Sequence, residues 1–292
     1  MEELATDVVW ALSYLSNEDE QHTELPISPC FLRKLMSKLI ELLEINFKCK
    51  KPIIQIIGNA VSGSDSQTQI VLDSGFLNHL ADLLGNSSTE VRKNSCGIIA
   101  MIACGNHDQI QQLMKRKKIL HQLVVKATHD QWSVRKEALW AIVYILTNGS
   151  YTDISWMIGA NGFDPLITFL ALENSDVKLL VAVLDAVENA FKAHQKYLDL
   201  FAENRGIDYI EELQKHRSDV VYKKVVHLID NFFGVEEDEN SLPATNDSGH
   251  FTLGMTSVPT PKNLFPIKQN QGSPKESSSP FRHLFTNNRS SH

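Results

Sequence analysis

The chain has 292 residues, 42% of them hydrophobic and 22% charged, enough to bury a large core. Its net charge of −7 argues against general affinity for nucleic acid or for an anionic membrane surface, and it suits partners with basic patches. Cys30, Cys49, Cys96 and Cys104 form no CxxC pair and have no histidine at metal spacing, so they are expected to be reduced core residues.

The first predicted element is the helix in "MEELATDVVWALSYLS". Its apolar run is short and broken by Ser and Tyr, so it reads as neither a signal peptide nor a membrane span. Beyond it, short segments recur: "SPCFLRKL", "DSGFLNHL", "KRKKILHQL", "GANGFDPL" and "AENRGIDYI". Aligning them puts Leu35, Leu80, Leu123, Leu166 and Ile210 in register at steps of 43 to 45 residues. A second series, Trp10, Gln55, Gly97, Trp140 and Asp185, runs at 42 to 45, and Gly63, Gly105 and Gly149 close its segments. Features that share one period mark a repeat array.

Within one unit, "SDSQTQIVLDSG" predicts a first helix with a polar start that could cap it and Gly75 as its stop. "FLNHLADLLGN" predicts a second helix and "STEVRKNSCGIIAMIACG" a longer third. Strand signals are absent. Three helices every 42 to 47 residues predict an all-α armadillo-repeat fold, a right-handed superhelical solenoid stacked around one continuous core. Residues 1–240 form this domain, as a partial first repeat and about five units. From Ser241 apolar periodicity stops, and 241–292 reads as a disordered Ser/Pro/Asn-rich tail behind the acidic run Glu236 to Glu239.

In such a solenoid the third helices line the groove, one rung per repeat, and an extended peptide can lie along them. Trp10 with Tyr14 and Trp140 with Tyr144 stand four apart on such helices, facing either core or groove. Trp132 and Trp156 fall outside the rung spacing and read as local packing. "KRKK" at Lys115 to Lys118 reads as a solvated loop between a first and a second helix. His107 with Asp108 marks a helix start. No catalytic, phosphate-binding or metal pattern appears, so no enzyme activity, cofactor or metal is expected.

The segments "VVWALSYLS", "IIGNAVSGSDSQTQIVLDSG", "RKEALWAIVYILTNG", "VLDAVENAF" and "LIDNFFGVEEDEN" resemble the importin-α family, in the order of its C-terminal half of armadillo repeats. The resemblance covers roughly residues 4 to 240. It implies an adaptor that binds nuclear localisation signals for nuclear protein import and moves between cytoplasm and nucleus. In that family third-helix Trp rings form slots for Lys or Arg stems, an Asn four residues later bonds the peptide backbone, and nearby acids receive the charged heads.

The resemblance carries over to Asp7, Trp10 and Tyr14 at the first rung and to Asn59, Val61, Asp65 and Thr68 around the second, where Gln55 replaces the usual Arg. The third rung is lost to Gly97 and Met101, and the fourth keeps Glu137 and Trp140 but has Tyr144 for Asn. The groove is therefore expected to be truncated and degenerate, binding basic signal peptides weakly or in part. The acidic run corresponds to the family's end, near where its export receptor and some nucleoporins dock. The basic N-terminal arm that recruits importin-β has no match, so importin-β is not an expected partner of this chain. The alternative is a non-transport armadillo scaffold or regulatory paralogue that has lost cargo binding. "KNLF" and "RHLF" in the tail, beside Thr260-Pro261, Ser273-Pro274 and Ser279-Pro280, are similar to cyclin-docking motifs next to proline-directed phosphorylation sites; the plain reading is incidental Leu-Phe pairs.

Overall fold

The computed structural model describes residues 2–16, 28–45, 50–172 and 176–233. The expected boundary at 240, the acidic run, the tail with its Leu-Phe motifs, and Cys49 lie outside the described residues. The described residues are helical and contain no strand.

The third helices of successive units are α1 (Glu2–Leu15), α3 (Lys50–Val61), α6 (Thr89–Cys104), α9 (Trp132–Asn148), α12 (Val177–Ala193) and α15 (Asp219–Phe232), and each packs on the next. First helices are α4 (Asp65–Asp73), α7 (His107–Met114), α10 (Tyr151–Gly159) and α13 (Gln195–Glu203). Second helices are α2 (Pro29–Glu44), α5 (Leu80–Leu84), α8 (Lys117–His129), α11 (Phe163–Leu170) and α14 (Gly206–Glu212), and from α5 onward these too stack in sequence. Among the described residues this makes four complete three-helix units behind α1 and the α2–α3 pair.

The first register read from the sequence is a register of the core. Leu80, Leu123, Leu166 and Ile210 are fully buried at equivalent points of successive second helices; Leu35, in the first, is half-buried. The same logic shows what the first third helix lacks. Leu4, Val8 and Leu15 are exposed on α1, whereas residues in the same register are buried on α6 (Val91, Ser95, Ile102), α9 (Val134, Ala138, Ile145) and α12 (Leu179, Val183, Ala190). Each interior unit covers that stripe with a neighbouring unit, and among the described residues none covers it on α1.

Local chemistry sets the joints. Asn106 and Ser150 open α7 and α10 as capping boxes with Gln109 and Asp153. Ser64 precedes α4 but makes no capping bond; its hydroxyl lies 3.0 Å from that of Ser66. Gly75 has φ +83°, the left-handed conformation that stops α4, and a 3-10 turn over Phe76–Asn78 then replaces the first turn of the predicted second helix. Gly149 is needed for a different reason. Its φ is ordinary, but a Cβ there would lie 2.4 Å from the Ile145 carbonyl oxygen. Gly149→Ala is expected to cost about 1–3 kcal/mol, read as a lower Tm by circular dichroism at 222 nm.

The cysteines divide. Cys96 is buried, and burial holds its thiol well above the ordinary range; Cys104 is half-buried. Cys30 is exposed on α2, contrary to the expectation of a core residue, because its position on that helix faces away from the stripe that carries Leu32, Met36 and Leu39.

Candidate functional site

The stacked third helices present one residue series per unit on a common face, here called the ladder. At its first rung Trp10 and Tyr14 stack with centroids 5.8 Å apart and planes at 28°. At the fourth, Trp140 and Tyr144 repeat that geometry at 5.7 Å and 27°. Both indoles are half-buried and keep part of their surface accessible, and Trp140 packs against the core. Tyr14 is exposed; Tyr144 is half-buried and bonded to the Cys104 thiol, and burial together with that contact raises its phenol pKa. The two remaining tryptophans make local contacts. Trp132 lies parallel to Phe169 at 6.0 Å, and Trp156 has Lys117 Nζ 4.0 Å from its ring centroid and His121 at its edge.

Asp7 is exposed on α1, three residues before Trp10. At the second rung Gln55 is buried rather than presented. Asn59 donates its amide to Ser16 Oγ at the end of the preceding third helix, 2.8 Å away. One of the two N–H donors of that amide is thereby taken. Val61 is buried, and its carbonyl accepts a 3.2 Å bond from the buried Thr68 hydroxyl, fixing the turn from α3 to α4. Asp65 is exposed but tied to the next unit: its backbone oxygen accepts from Gln109 Nε2 at 2.8 Å and its carboxylate from Asn106 at 3.3 Å. At the third rung Gly97 is buried and Met101 half-buried against the core.

Glu137 departs most from the expected role of a charged acceptor. It is 2% exposed, and its Oε2 has no hydrogen-bond partner among the described residues. Burial pushes its carboxyl up to about 7, against the opposing pull of Lys93 and Lys136. At neutral pH it is partly protonated.

Other ladder residues were not singled out by sequence. Asn189 stands four after Asp185, as Asn59 does after Gln55, and it too donates to the end of the preceding third helix, at the Leu146 and Thr147 carbonyls (3.2 and 3.1 Å). The register of the Trp10 series contained that signal. Further along, Lys224 bridges Asp185, at 2.5 Å, and Glu188. Burial disfavours the charged form of Glu188, but bonds from Lys192 and Lys224 outweigh it and hold the carboxyl at about 2. Among the described residues no group of His, Cys, Asp and Glu could hold a metal, and no helix is long and apolar enough to cross a membrane.

Two family models match, an armadillo/beta-catenin-like repeat over residues 64–103 and an atypical Arm repeat over 195–246. Importin subunit alpha-3 of Arabidopsis thaliana is 31% identical over 277 residues, 88% of this chain and 50% of that protein. Importin subunit alpha-1a of Oryza sativa subsp. japonica is 29% identical over 273 residues, 89% of this chain and 48% of that protein. The chain is an armadillo-repeat solenoid similar to importin-α subunits. It spans about half the length of the curated relatives it matches. Among solved structures, a designed armadillo repeat protein in complex with the peptide (KR)4 superposes with TM-score 0.64 at 27% identity, over 77% of this chain and 92% of that one. Computationally designed armadillo repeat proteins for modular peptide recognition give 0.66 at 26%, over 77% and 91%.

Proposed function

We propose that the ladder binds an extended basic peptide and that the chain acts as an importin-α-like adaptor for nuclear localisation signals, in cytoplasm and nucleus, with a degenerate groove. The observation that carries this reading is the repeated aromatic pair. Trp10–Tyr14 and Trp140–Tyr144 have the same stacking geometry three units apart, each half-accessible on the ladder. A half-accessible indole offers apolar area for an aliphatic stem and a negative face for the cation at its end. The names of the relatives, and the (KR)4 peptide on a designed neighbour, support the same chemistry. The proposed activity is binding, not catalysis.

The alternative, a scaffold that has lost cargo, is favoured by the buried Gly97, the buried Glu137 and the engaged amide of Asn59. Titration with a (Lys-Arg)4 peptide followed by Trp fluorescence separates the two. The adaptor reading expects a Kd tighter than about 1 mM, worth ~4 kcal/mol, and a loss of about tenfold or more in Trp140→Leu with an unchanged circular dichroism spectrum. Binding weaker than that limit, or a loss explained by unfolding, favours the scaffold.

A further inference from the structure

We infer that Lys51 is an internal occupant of the Trp10 slot, so that a basic peptide engages the first rung only by displacing it. The inference rests on the peptide-binding reading of the ladder and concerns which rung such a peptide can use.

Three lysines hold one register on consecutive third helices. Lys51, Lys93 and Lys136 each stand four residues before the rung position of their helix, Gln55, Gly97 and Trp140. Two of them pair with a carboxylate belonging to the next unit's third helix or its cap. Lys51 Nζ lies 2.8 Å from Glu90 and Lys136 Nζ 2.5 Å from Asp176, while Lys93 acts electrostatically on Glu137. Lys51 alone among the three also reaches an indole: its ammonium sits 5.7 Å from the Trp10 ring centroid, within range of cation–π attraction. One flexible side chain from α3 thus bridges the aromatic pair of α1 and an acid of α6.

A lysine stem with its charge over a ring is what a basic peptide would itself bring to Trp10. Two ammonium groups on one ring face repel each other, so the internal cation must leave before an external one enters. Lys51 and Glu90 are both half-exposed, so the release is feasible and weakens binding by a modest factor.

The test uses the full chain and the (Lys-Arg)4 peptide. Lys51→Met keeps an apolar stem and removes the charge, and affinity is expected to rise about threefold to tenfold. Lys50→Met removes the same charge from the neighbouring position and is expected to change affinity by less than about twofold. In a Trp10→Ala background Lys51→Met is expected to bring no gain. Equal gains from the two lysine variants would assign the effect to net charge and overturn the proposal. If the wild type binds and Lys51→Met brings no gain, the peptide-binding reading stands and this proposal falls. If neither the wild type nor any variant binds, both fall. A second readout needs no peptide: the ε-methylene resonances of Lys51 should be shifted upfield by the indole and return to ordinary values in Trp10→Ala. Unshifted resonances in the wild type overturn the proposal whatever the titrations give.

Discussion

Asp130→Ala is expected to lower stability by about 3 kcal/mol at pH 7, read from the urea midpoint at unchanged m. Asp130 closes α8, and its carboxylate receives both arms of the Arg92 guanidinium from α6, Nε on Oδ2 and Nη2 on Oδ1, each at 2.8 Å. Arg92 Nη1 also donates to the Asn86 and Ser87 carbonyls at 2.9 Å, so one side chain ties the loop before α6 to the next unit. Lys126 adds a contact at 3.1 Å. Both members of the Arg92–Asp130 pair are largely removed from solvent, so deleting the acid leaves a guanidinium without its counter-charge. The Arg92 bonds hold the Asp130 carboxyl well below the usual carboxylate range. For a depressed acid, the contribution is complete above the unfolded pKa, near 4, and is lost as pH falls through the folded value. The gap between wild type and Asp130→Ala should therefore narrow below about pH 4. A loss under ~0.5 kcal/mol at pH 7 would show that the pair is solvated in practice.

Glu137→Gln is expected to stabilise the protein at alkaline pH and to leave it nearly unchanged at pH 4.5. The sign follows from a raised acid. Below the unfolded pKa of about 4.5 both states are protonated and burial has no electrostatic cost. Between that value and the folded value of about 7 only the unfolded state ionises, so stability falls across this window and levels off above it, where the folded protein holds a buried charge whose Oε2 has no hydrogen-bond partner among the described residues. The full span corresponds to up to about 3 kcal/mol, at 1.36 kcal/mol per pKa unit. Chemical denaturation between pH 4.5 and 8 should show a decline in wild type that is absent in the glutamine variant. Parallel profiles would mean that Lys93 and Lys136 already neutralise the carboxylate. A basic side chain arriving at Trp140 would favour the charged form of Glu137, so peptide binding near pH 7 is expected to release protons.

The repeat was legible because a solenoid writes its packing into a single period. Leu80, Leu123, Leu166 and Ile210 were in register in the sequence and sit at equivalent buried points in the fold. Gly105 and Gly149 marked the ends of α6 and α9. The candidate site was less legible, because its contacts run between units. Asn59 meets Ser16 across 43 residues, and Lys51 meets Trp10 and Glu90 on two different helices. A residue type and spacing say which side chains share a face; they do not say whether a neighbouring unit has already taken their hydrogen bonds. Glu137 illustrates this most clearly. Its place three before Trp140 suggested a charged acceptor, yet the packing of α6 and α12 against α9 buries it. Cys30 went wrong for the converse reason, since a thiol's preference for the core yields to the facing set by the rest of the helix.

The central claim is that the ladder of third helices, and not another face, receives a basic peptide. The four tryptophans report on it directly, because Trp10 and Trp140 lie on the ladder while Trp132 and Trp156 are held by Phe169 and by His121 with Lys117. The measurement is the set of four indole N–H resonances during titration with (Lys-Arg)4. The Trp140 and Trp10 signals should both move, that of Trp10 as Lys51 is displaced, and those of Trp132 and Trp156 should stay in place. Movement of Trp132 or Trp156 with the ladder pair unchanged, or no movement at 1 mM peptide, would contradict it.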